Sequence, residues 1–368
     1  MKRALTQGQM VRKWPRSRVR HVTPVSWTIK KLQGVRALTL ITPRVLAVAL
    51  ALGTVLIGAG GPPAAEASAS SIGWTAPLTL FQSKNHGALL PTVSCVSAKL
   101  CVAVGAKGSG GVYLSGARTW SSPVVINRGA GLASISCLSS GVCEAVGAAY
   151  FSLSGATYRR LKGKWSDGPS TKFALMGVSC ASATFCAGVD NLSPKGHGFI
   201  FNGQRWSSPT TLATSADSIS CPTTRYCAAV SQSGNVLYYE NGSWSKATSI
   251  DPSGTPVSVS CSSASFCVAV DSNGGALTDQ NGKWSKPVAI DPNASLAAVS
   301  CPTTEFCVAV DVSGAALSYD GSHWSSPQTI SPNVQFTDVS CPTVKFCAAV
   351  GQNAATTAAY VTTYEPSR

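Results

Sequence analysis

The fourteen cysteines of this 368-residue chain fall into seven pairs that share one pattern, Ser-Cys-x5-Cys-x-x-Val. The first cysteines of successive pairs lie 42, 43, 41, 40, 40 and 40 residues apart. A period near 40 residues is that of a four-stranded propeller blade. The spacing therefore predicts an all-β fold built from seven similar units. The pairs are Cys95 and Cys101, Cys137 and Cys143, Cys180 and Cys186, Cys221 and Cys227, Cys261 and Cys267, Cys301 and Cys307, and Cys341 and Cys347.

Repeat five shows how one unit divides into four short strands, labelled a to d. Strand a ends at Cys261, strand b runs from Cys267 to Asp271, and strand d begins at Trp284. An Asn-Gly or Asp-Gly pair separates strands c and d in four repeats, and such pairs accept the positive φ values of a tight hairpin. These pairs are Asn202-Gly203, Asn241-Gly242, Asn281-Gly282 and Asp320-Gly321.

The two ends of the repeat region complement each other. The segment from Trp74 to Leu80 reads as a strand d with no strands a to c before it, and the last repeat, Val339 to Tyr364, has no Trp-containing strand after it. Closing the ring removes exposed sheet edges. The sequence thus predicts a seven-bladed β-propeller in which an N-terminal outer strand completes the last blade by pairing near Tyr360 to Tyr364.

A tryptophan opens strand d in every repeat. We expect it to pack between neighbouring blades, because a large amphipathic ring fills such an interface well; the alternative is stacking against a sugar. Beside Trp74, these residues are Trp120, Trp165, Trp206, Trp244, Trp284 and Trp324.

The N-terminal segment has the order of an export signal. Residues 1–44 carry eleven Lys and Arg and no acidic residue, and residues 45–67 contain an apolar run followed by an A-x-A cleavage site. The run is shorter than a membrane span prefers. We therefore expect a basic segment (1–44), a signal-peptide region (45–67) and an exported propeller (68–368) that is secreted or associated with the cell envelope. The alternative is an uncleaved signal anchor, with membrane attachment through residues 45–60.

The formal charge of +14 is concentrated in that segment. Of the 29 Lys and Arg, eleven precede residue 45, and Glu66 is one of the 15 acids, which leaves 18 basic and 14 acidic residues from Ser68 onward. This balance argues against nucleic acid as a partner. The chain also lacks a phosphate-binding loop, a Gly-x-Ser-x-Gly elbow and a His-rich box, so we expect no cofactor and no metal.

Each cysteine pair brackets a five-residue turn between strands a and b. Cross-strand neighbours at the base of a hairpin lie close enough for a disulfide, and an oxidising compartment favours one. Zinc requires four ligands, and no second pair or histidine accompanies each first pair. Seven disulfides, each within one blade, are predicted.

Candidate site residues come from departures from the repeat. The loops from strand d to strand a and from b to c share one face and vary in length, so binding is expected there. The candidate ligand-binding residues are Lys84, Asn85 and His86 in the longest d-to-a connection, Lys195 and His197 in the b-to-c loop of repeat three, and Glu144 beside the second cysteine of repeat two.

Each of these candidates has a simpler explanation. A surface histidine is more often solvated than functional, and Glu144 could simply face water in the channel. Asp190, Asp271 and Asp311 end strand b, where they are typical turn formers, with calcium ligation as the alternative. The basic hairpin from Arg159 to Lys164 is either a solvated rim or a docking surface for an anionic polymer.

The segments Ser300 to Val310 and Ser340 to Val350 share Ser-Cys-Pro-Thr and Phe-Cys-x-Ala-Val. They resemble the repeats of secreted actinobacterial β-propeller proteins, and the likeness extends from Trp74 to about Tyr364. Propellers of the sialidase or Asp-box type are a more distant likeness, since their Ser-x-Asp-x-Gly-x-x-Trp box is missing.

The resemblance and the uniform repeats together indicate an exported, non-enzymatic propeller. We expect it to be a monomer that binds a protein or a cell-envelope glycan through its variable face. The alternative is a glycan-active hydrolase or lyase of the sialidase-like propeller type, using Glu144 or another channel carboxylate.

Overall fold

The computed structural model describes residues 73–82, 90–105, 109–114, 119–149, 154–353, 355 and 358–365. The predicted basic segment (1–44) and signal region (45–67) lie outside this set. Within it, the chain forms seven antiparallel sheets of four or five strands. No helix in the described part of the chain has the length and apolar composition needed to span a membrane.

The first strand, β1 (Leu78–Gln82), belongs to the last sheet, and the other strands follow in chain order. Sheet one contains β2 (Thr92–Ser97), β3 (Leu100–Gly105), β4 (Ser109–Leu114), β5 (Thr119–Trp120) and β6 (Val124–Val125). Sheet two contains β7 (Ala130–Cys137), β8 (Cys143–Ala149), β9 (Gly155–Leu161) and β10 (Lys164–Asp167). Sheet three contains β11 (Gly177–Ser182), β12 (Phe185–Val189), β13 (His197–Phe201) and β14 (Thr210–Thr211).

The second half repeats this meander. Sheet four contains β15 (Ser218–Thr223), β16 (Tyr226–Ser231), β17 (Asn235–Glu240), β18 (Ser243–Trp244) and β19 (Thr248–Ser249). Sheet five contains β20 (Pro256–Ser263), β21 (Phe266–Asp271), β22 (Gly275–Gln280), β23 (Lys283–Trp284) and β24 (Val288–Ala289). Sheet six contains β25 (Leu296–Ser300), β26 (Cys307–Asp311), β27 (Ala315–Tyr319) and β28 (Gln328–Thr329). Sheet seven contains β29 (Gln335–Thr343), β30 (Phe346–Asn353), β31 (Ala358–Tyr364) and β1.

The hairpin between the third and fourth strands follows the predicted turn chemistry in sheets four and five. In sheets three and six only the glycines Gly203 and Gly321 have positive φ, and the side chains of Asn202 and Asp320 instead accept backbone N–H groups two and three residues further on. Asn241 and Gly242 have φ values of 48° and 96° and form the whole connection between β17 and β18. Asn281 and Gly282 take the same conformation in sheet five. Two consecutive positive φ values define the tight turn that matches the twist of paired strands, which explains the Asn-Gly pairs.

The second strand of each sheet is buried on both sides. In β21 every residue from Phe266 to Asp271 is buried. Cys267 and Ala269 pack against sheet four, whereas Val268 and Val270 pack against sheet six. This explains why these strands read as continuous apolar runs, because neither of their faces meets water.

Seven apolar clusters join consecutive sheets, and each contains the tryptophan of the later sheet. Trp74 and Trp206, both 7% exposed, are the most buried of these residues. In four sheets the tryptophan contacts an aromatic residue on the third strand at ring-centroid distances of 5.3 to 5.5 Å. The prediction that the tryptophans pack between neighbouring units is confirmed.

The N-terminal strand closes the fold as predicted. In β1, Leu78 pairs with Val361, and Thr79 pairs with Tyr360. Before this strand, Trp74 bridges to Tyr364. The last sheet therefore takes its outer strand from the beginning of the described chain. The predictions of an all-β propeller and of closure through the N-terminal strand are confirmed.

All fourteen cysteines form disulfides, and each bridge lies within one sheet between its first and second strands. The paired Cα atoms are 3.9 to 4.1 Å apart, because the cysteines are direct cross-strand neighbours. The seven predicted pairings are therefore confirmed. The bridges join Cys95 to Cys101, Cys137 to Cys143, Cys180 to Cys186, Cys221 to Cys227, Cys261 to Cys267, Cys301 to Cys307 and Cys341 to Cys347.

The bridges also bear on where the protein resides. Disulfides persist in oxidising compartments and are rare where cellular thiols keep cysteines reduced. Within the described part of the chain no cysteine is free. The seven bridges therefore indicate an oxidising, extracytoplasmic environment.

The serine that precedes each first cysteine has a role that sequence reasoning did not identify. Its hydroxyl accepts a hydrogen bond from the backbone N–H of the first cysteine in the next sheet, at 2.9 to 3.0 Å. The donors are Cys137, Cys180, Cys221, Cys261, Cys301, Cys341 and, from sheet seven back to sheet one, Cys95. These seven bonds connect the innermost strands in a closed circle.

Candidate functional site

The beginnings of the innermost strands enclose a cavity of about 460 Å³. Residues of all seven sheets line it, so it forms the mouth of the central channel. It opens on the face of the d-to-a and b-to-c loops, because its lining residues lie where strand a begins or, for Val312, where strand b ends. We call it the channel mouth. Its lining residues are Leu90, Pro91, Thr92, Ala133, Ser134, Met176, Gly177, Asp217, Ser218, Ile219, Val257, Ser258, Ser295, Leu296, Ala297, Ala298, Val312, Phe336, Thr337 and Asp338.

Apolar side chains are exposed at the channel mouth. Leu90 is 55% exposed, Met176 is 39% exposed and Val312 is 41% exposed. These residues come from sheets one, three and six, and so from well-separated parts of the ring. Exposed apolar side chains gathered around a concave surface are typical of binding sites.

One sequence position places a residue from every sheet in the wall of the channel mouth. It lies three residues before the first cysteine of each pair, and its side chain differs between sheets. The residues are Thr92, Ser134, Gly177, Ser218, Ser258, Ala298 and Asp338. The hydroxyls of Ser134, Ser218 and Ser258 each accept the N–H of an apolar residue in the next sheet at 3.2 Å.

Asp338 occupies this position in sheet seven, at the junction with sheet one. Its Oδ2 accepts hydrogen bonds from the Thr92 hydroxyl at 2.6 Å and the Val93 N–H at 2.8 Å. Its Oδ1 accepts the N–H of Val339 at 2.8 Å. Burial raises the pKa of the Asp338 carboxyl to about 6, although these hydrogen bonds oppose the shift. Asp338 thus joins the two sheets at the seam and adds an acidic group to the channel mouth.

A second carboxylate, Asp217, lines the channel mouth from sheet four. Its Oδ1 accepts hydrogen bonds from the side-chain amides of Gln232 at 3.1 Å and Asn191 at 3.3 Å. Its Oδ2 accepts the N–H of Gln232 at 3.2 Å. These contacts hold the carboxylate in a fixed orientation, and no Lys or Arg among the described residues forms an ion pair with it. Sequence reasoning singled out neither Asp217 nor Asp338, although aligning the seven repeats would have revealed Asp338 as a departure.

The predicted residues Lys84, Asn85 and His86 lie outside the described residues. Lys195 is exposed in the b-to-c loop of sheet three. His197 begins β13 and is partly buried, stacked on Phe173 at a centroid distance of 4.5 Å. Its Nδ1 lies 2.9 Å from Oδ2 of Asp190. The structure thus fixes His197 within sheet three and leaves Lys195 in solvent.

The aspartates that end strand b form turns. Oδ1 of Asp271 accepts the N–H groups of Asn273 and Gly275, and Oδ1 of Asp311 accepts those of Ser313 and Ala315. Asp190 accepts the N–H of Leu192 and His197 in the same way. Within the described ranges, no cluster of three or more His, Cys, Asp or Glu side chains is arranged to hold a metal ion.

Glu144 lies on β8, the second strand of sheet two, and is 1% exposed. Its Oε1 is 3.2 Å from Nε of Arg159, the residue directly opposite on β9. Burial raises the pKa of the Glu144 carboxyl to about 7, against the opposing effect of the Arg159 charge. Glu144 takes the place that Val268 has in sheet five, facing the next sheet, and it does not line the channel mouth.

Arg159 extends from sheet two to sheet three. Its guanidinium donates to the carbonyl oxygens of Ala183 at 2.8 Å and Gly203 at 3.2 Å. It also lies 5.0 Å from the ring centroid of Phe201. With a side chain 16% exposed, Arg159 is part of the interface between the sheets, so the solvent-exposed basic charge of this hairpin is smaller than its sequence implies.

Two further grooves lie at the outer edge of the molecule. One, of about 280 Å³, is lined by Trp74, Phe306 and Tyr364 together with polar groups such as Gln328. The other, of about 460 Å³, includes His323 and Trp324. These grooves bring together more aromatic residues than the channel mouth, whose aromatic residue Phe336 is 1% exposed.

No protein-family model matches the chain, and no curated protein matches its sequence. Several solved structures share its fold. YCF48 bound to D1 peptide has a TM-score of 0.60 and 14% identity, covering 80% of this chain and 97% of that one. The RRP9 WD40 repeats have a TM-score of 0.65 and 8% identity, covering 80% and 99%. YCF48 from Cyanidioschyzon merolae has a TM-score of 0.58 and 14% identity, covering 79% and 99%.

These similarities establish the class of the molecule. It is a β-propeller with a disulfide within each repeat, and the identities are low enough that the likeness extends to the fold alone. The fold by itself does not assign a function.

Proposed function

We propose that this protein is an exported, non-enzymatic, seven-bladed propeller that binds a segment of a partner protein at the channel mouth. The observation that carries this proposal is a cavity of about 460 Å³ with exposed apolar side chains, formed jointly by all seven sheets on the face of the unequal loops. A volume in this range suits part of a peptide. Lys84 and His86 lie outside the described residues, and their contribution to binding stays a prediction.

Two further considerations support a peptide-like partner. YCF48, whose structure was solved with a D1 peptide, has a similar fold, so a propeller of this shape is able to hold a peptide. In addition, the channel mouth offers hydroxyls, carboxylates and apolar groups, but its aromatic residue Phe336 is buried and therefore provides no exposed platform for a sugar ring.

The location follows from the disulfides and the N-terminal sequence together. We propose that residues 1–67 direct export and that the propeller from residue 68 works outside the cytoplasm, either secreted or at the cell envelope. Retention through residues 45–60 as an uncleaved anchor is the alternative form of the same proposal.

A second candidate function is binding of an envelope glycan in the outer grooves. It is favoured by the aromatic groups Trp74, Phe306 and Tyr364 beside polar side chains. The hydrolase alternative can no longer rest on Glu144, whose carboxylate is buried beside Arg159 and away from the channel mouth, and would have to use the channel carboxylates Asp217 and Asp338.

Selection from a peptide library tests the leading proposal. A displayed library of random linear peptides is selected on the purified protein, and the recovered peptides are measured by fluorescence anisotropy. We expect the triple substitution of Leu90, Met176 and Val312 to Ser to weaken binding at least tenfold. The control is Val344→Ser, because Val344 is also 41% exposed but lies in an a-to-b turn on the opposite face.

Unchanged affinity in the triple variant, or an equal loss in the control, would refute binding at the channel mouth. Thermal unfolding of the variants, followed by circular dichroism, verifies that the fold is retained. Substitutions of exposed side chains typically change stability by about 0.5 kcal/mol or less.

A further inference from the structure

We propose that the channel mouth selects a basic segment, in which Lys or Arg side chains flank an apolar residue. This inference rests on the proposed function and specifies the chemistry of the partner. The juxtaposition that carries it is two carboxylates, Asp217 and Asp338, beside the exposed apolar side chains of Leu90, Met176 and Val312.

The charge of the channel mouth has one sign. Asp217 and Asp338 are acidic, and the described lining residues include no Lys or Arg. Neither carboxylate has a cationic partner among the residues that the structure describes; their hydrogen bonds come from amides, a hydroxyl and backbone N–H groups. Two partly buried carboxylates without a counter-charge favour a cationic ligand, because opposite charges interact more strongly where water is partly excluded.

The carboxylates come from different sides of the ring. Asp217 directly precedes the first strand of sheet four. Asp338 lies in the first strand of sheet seven, three sheets further along the chain. One basic side chain carries one positive charge and balances only one of the two carboxylates. A segment that crosses the channel mouth with two basic side chains would meet both, while its apolar residue contacts Met176 or Val312.

The serine hydroxyls add a site for the backbone of such a segment. Ser134, Ser218 and Ser258 each use a lone pair to accept an N–H from the next sheet. A hydroxyl that accepts one hydrogen bond keeps its own proton for donation. These three hydroxyls line the channel mouth and are therefore able to donate to carbonyl oxygens of an extended chain.

Three displayed libraries test the inference. They share random residues around one fixed Leu and differ only in the two flanking positions, which are Lys or Arg in the first library, Asp or Glu in the second, and Ser or Gln in the third. The libraries are mixed in equal numbers and selected on the purified protein at low salt. We expect recovered peptides to come from the basic library at least tenfold more often than from the acidic one.

Two variants then locate the effect. We expect Asp217→Asn and Asp338→Ser each to reduce the affinity of recovered basic peptides about fivefold to tenfold, with a smaller loss at 0.5 M salt, because screening weakens charge interactions. Asp338→Ser uses the residue that sheets two, four and five carry at the same position. Glu305→Gln is the control, since Glu305 is exposed in an a-to-b turn on the opposite face.

The outcomes separate this inference from the proposed function. Recovery of acidic or uncharged peptides whose binding depends on Leu90, Met176 and Val312 would overturn the basic preference and leave the proposed function intact. If no library yields peptides that depend on those residues, the proposed function itself fails. An equal loss of affinity in Glu305→Gln would also overturn the inference, because the charge effect would then be unrelated to the channel mouth.

Discussion

The ion pair between Glu144 and Arg159 allows a quantitative test of how the sheets pack. Sheet five has Val268 directly opposite Thr278 at the equivalent positions, so it supplies a replacement that the fold already accepts. The test combines Glu144→Val, Arg159→Thr and the double variant in a thermodynamic cycle. The pair is suited to it because the Glu144 side chain is 2% exposed and Arg159 contacts sheet three.

The three variants should differ strongly in the free energy of unfolding. Arg159→Thr leaves a buried carboxylate without its cation, which costs about 3 kcal/mol. Glu144→Val costs about 1 kcal/mol, because Arg159 keeps two carbonyl acceptors and its contact with Phe201. The double variant should lie within about 1 kcal/mol of the wild type, because replacing both members of a buried pair by uncharged residues is often neutral. The coupling energy is then about 3 kcal/mol.

Urea denaturation at pH 8 with the disulfides intact measures these values, using tryptophan fluorescence. At pH 5 the cost of Arg159→Thr should fall, since the pKa of Glu144 is raised to about 7 and the acid is then neutral. Effects of the two single substitutions that add to within about 0.5 kcal/mol in the double variant would refute the coupling, and with it the account of Glu144 as a partner of Arg159 in the interface.

Three further predictions follow from the seam, the serine circle and the closing strand. Burial raises the pKa of Asp338 from 3.8 to about 6, so its contribution to stability is fully present below pH 4 and is lost as pH rises through 6. Asp338→Asn should therefore remove this part of the pH dependence of the free energy of unfolding, measured by urea titrations from pH 4 to 7. An unaltered pH profile in the variant would contradict the prediction. Ser260→Ala should cost about 1 to 2 kcal/mol, because it leaves the partly buried N–H of Cys301 without its acceptor. Ser285→Ala, directly after the outer strand β23, should cost less in the same denaturation assay because its hydrogen bond to the Thr278 N–H is exposed, and equal costs would count against the circle. Deleting residues 73–82 should expose the edge of β31 and cause self-association in sedimentation velocity, while a deletion variant that stays monomeric and equally stable would show that closure is dispensable.

The fold was predictable because the evidence for it recurs in every repeat. The cysteine spacing, the Asn-Gly turns and the Trp-containing strands all have the same period, so each repeat supports the interpretation of the others. The split between Trp74 and the last repeat predicted closure for the same reason. Physically, a blade is a local meander, and most of its pairing partners lie within about 40 residues.

The candidate site was less predictable because the channel mouth brings together residues that are distant in the sequence. Asp217 and Asp338 are ordinary turn or strand residues when read alone, and they become neighbours of one cavity only when the ring closes. Glu144 was singled out because it breaks a local apolar pattern. That departure marks an interface ion pair, since the side chain after the second cysteine faces the next sheet, as Val268 does.

The central claim, that a partner segment binds at the channel mouth, is tested most directly by photocrosslinking. The photoreactive amino acid benzoylphenylalanine is introduced in place of Val312 in one protein and Val344 in another, two sites of equal exposure on opposite faces. The selected basic peptide is added, and the crosslinked residue is located by mass spectrometry. A third protein carries the label in place of His323 in the outer groove. We predict crosslinking from position 312 and none above background from position 344. Crosslinking from position 344 but not from 312, or crosslinking from position 323 alone, would contradict the claim.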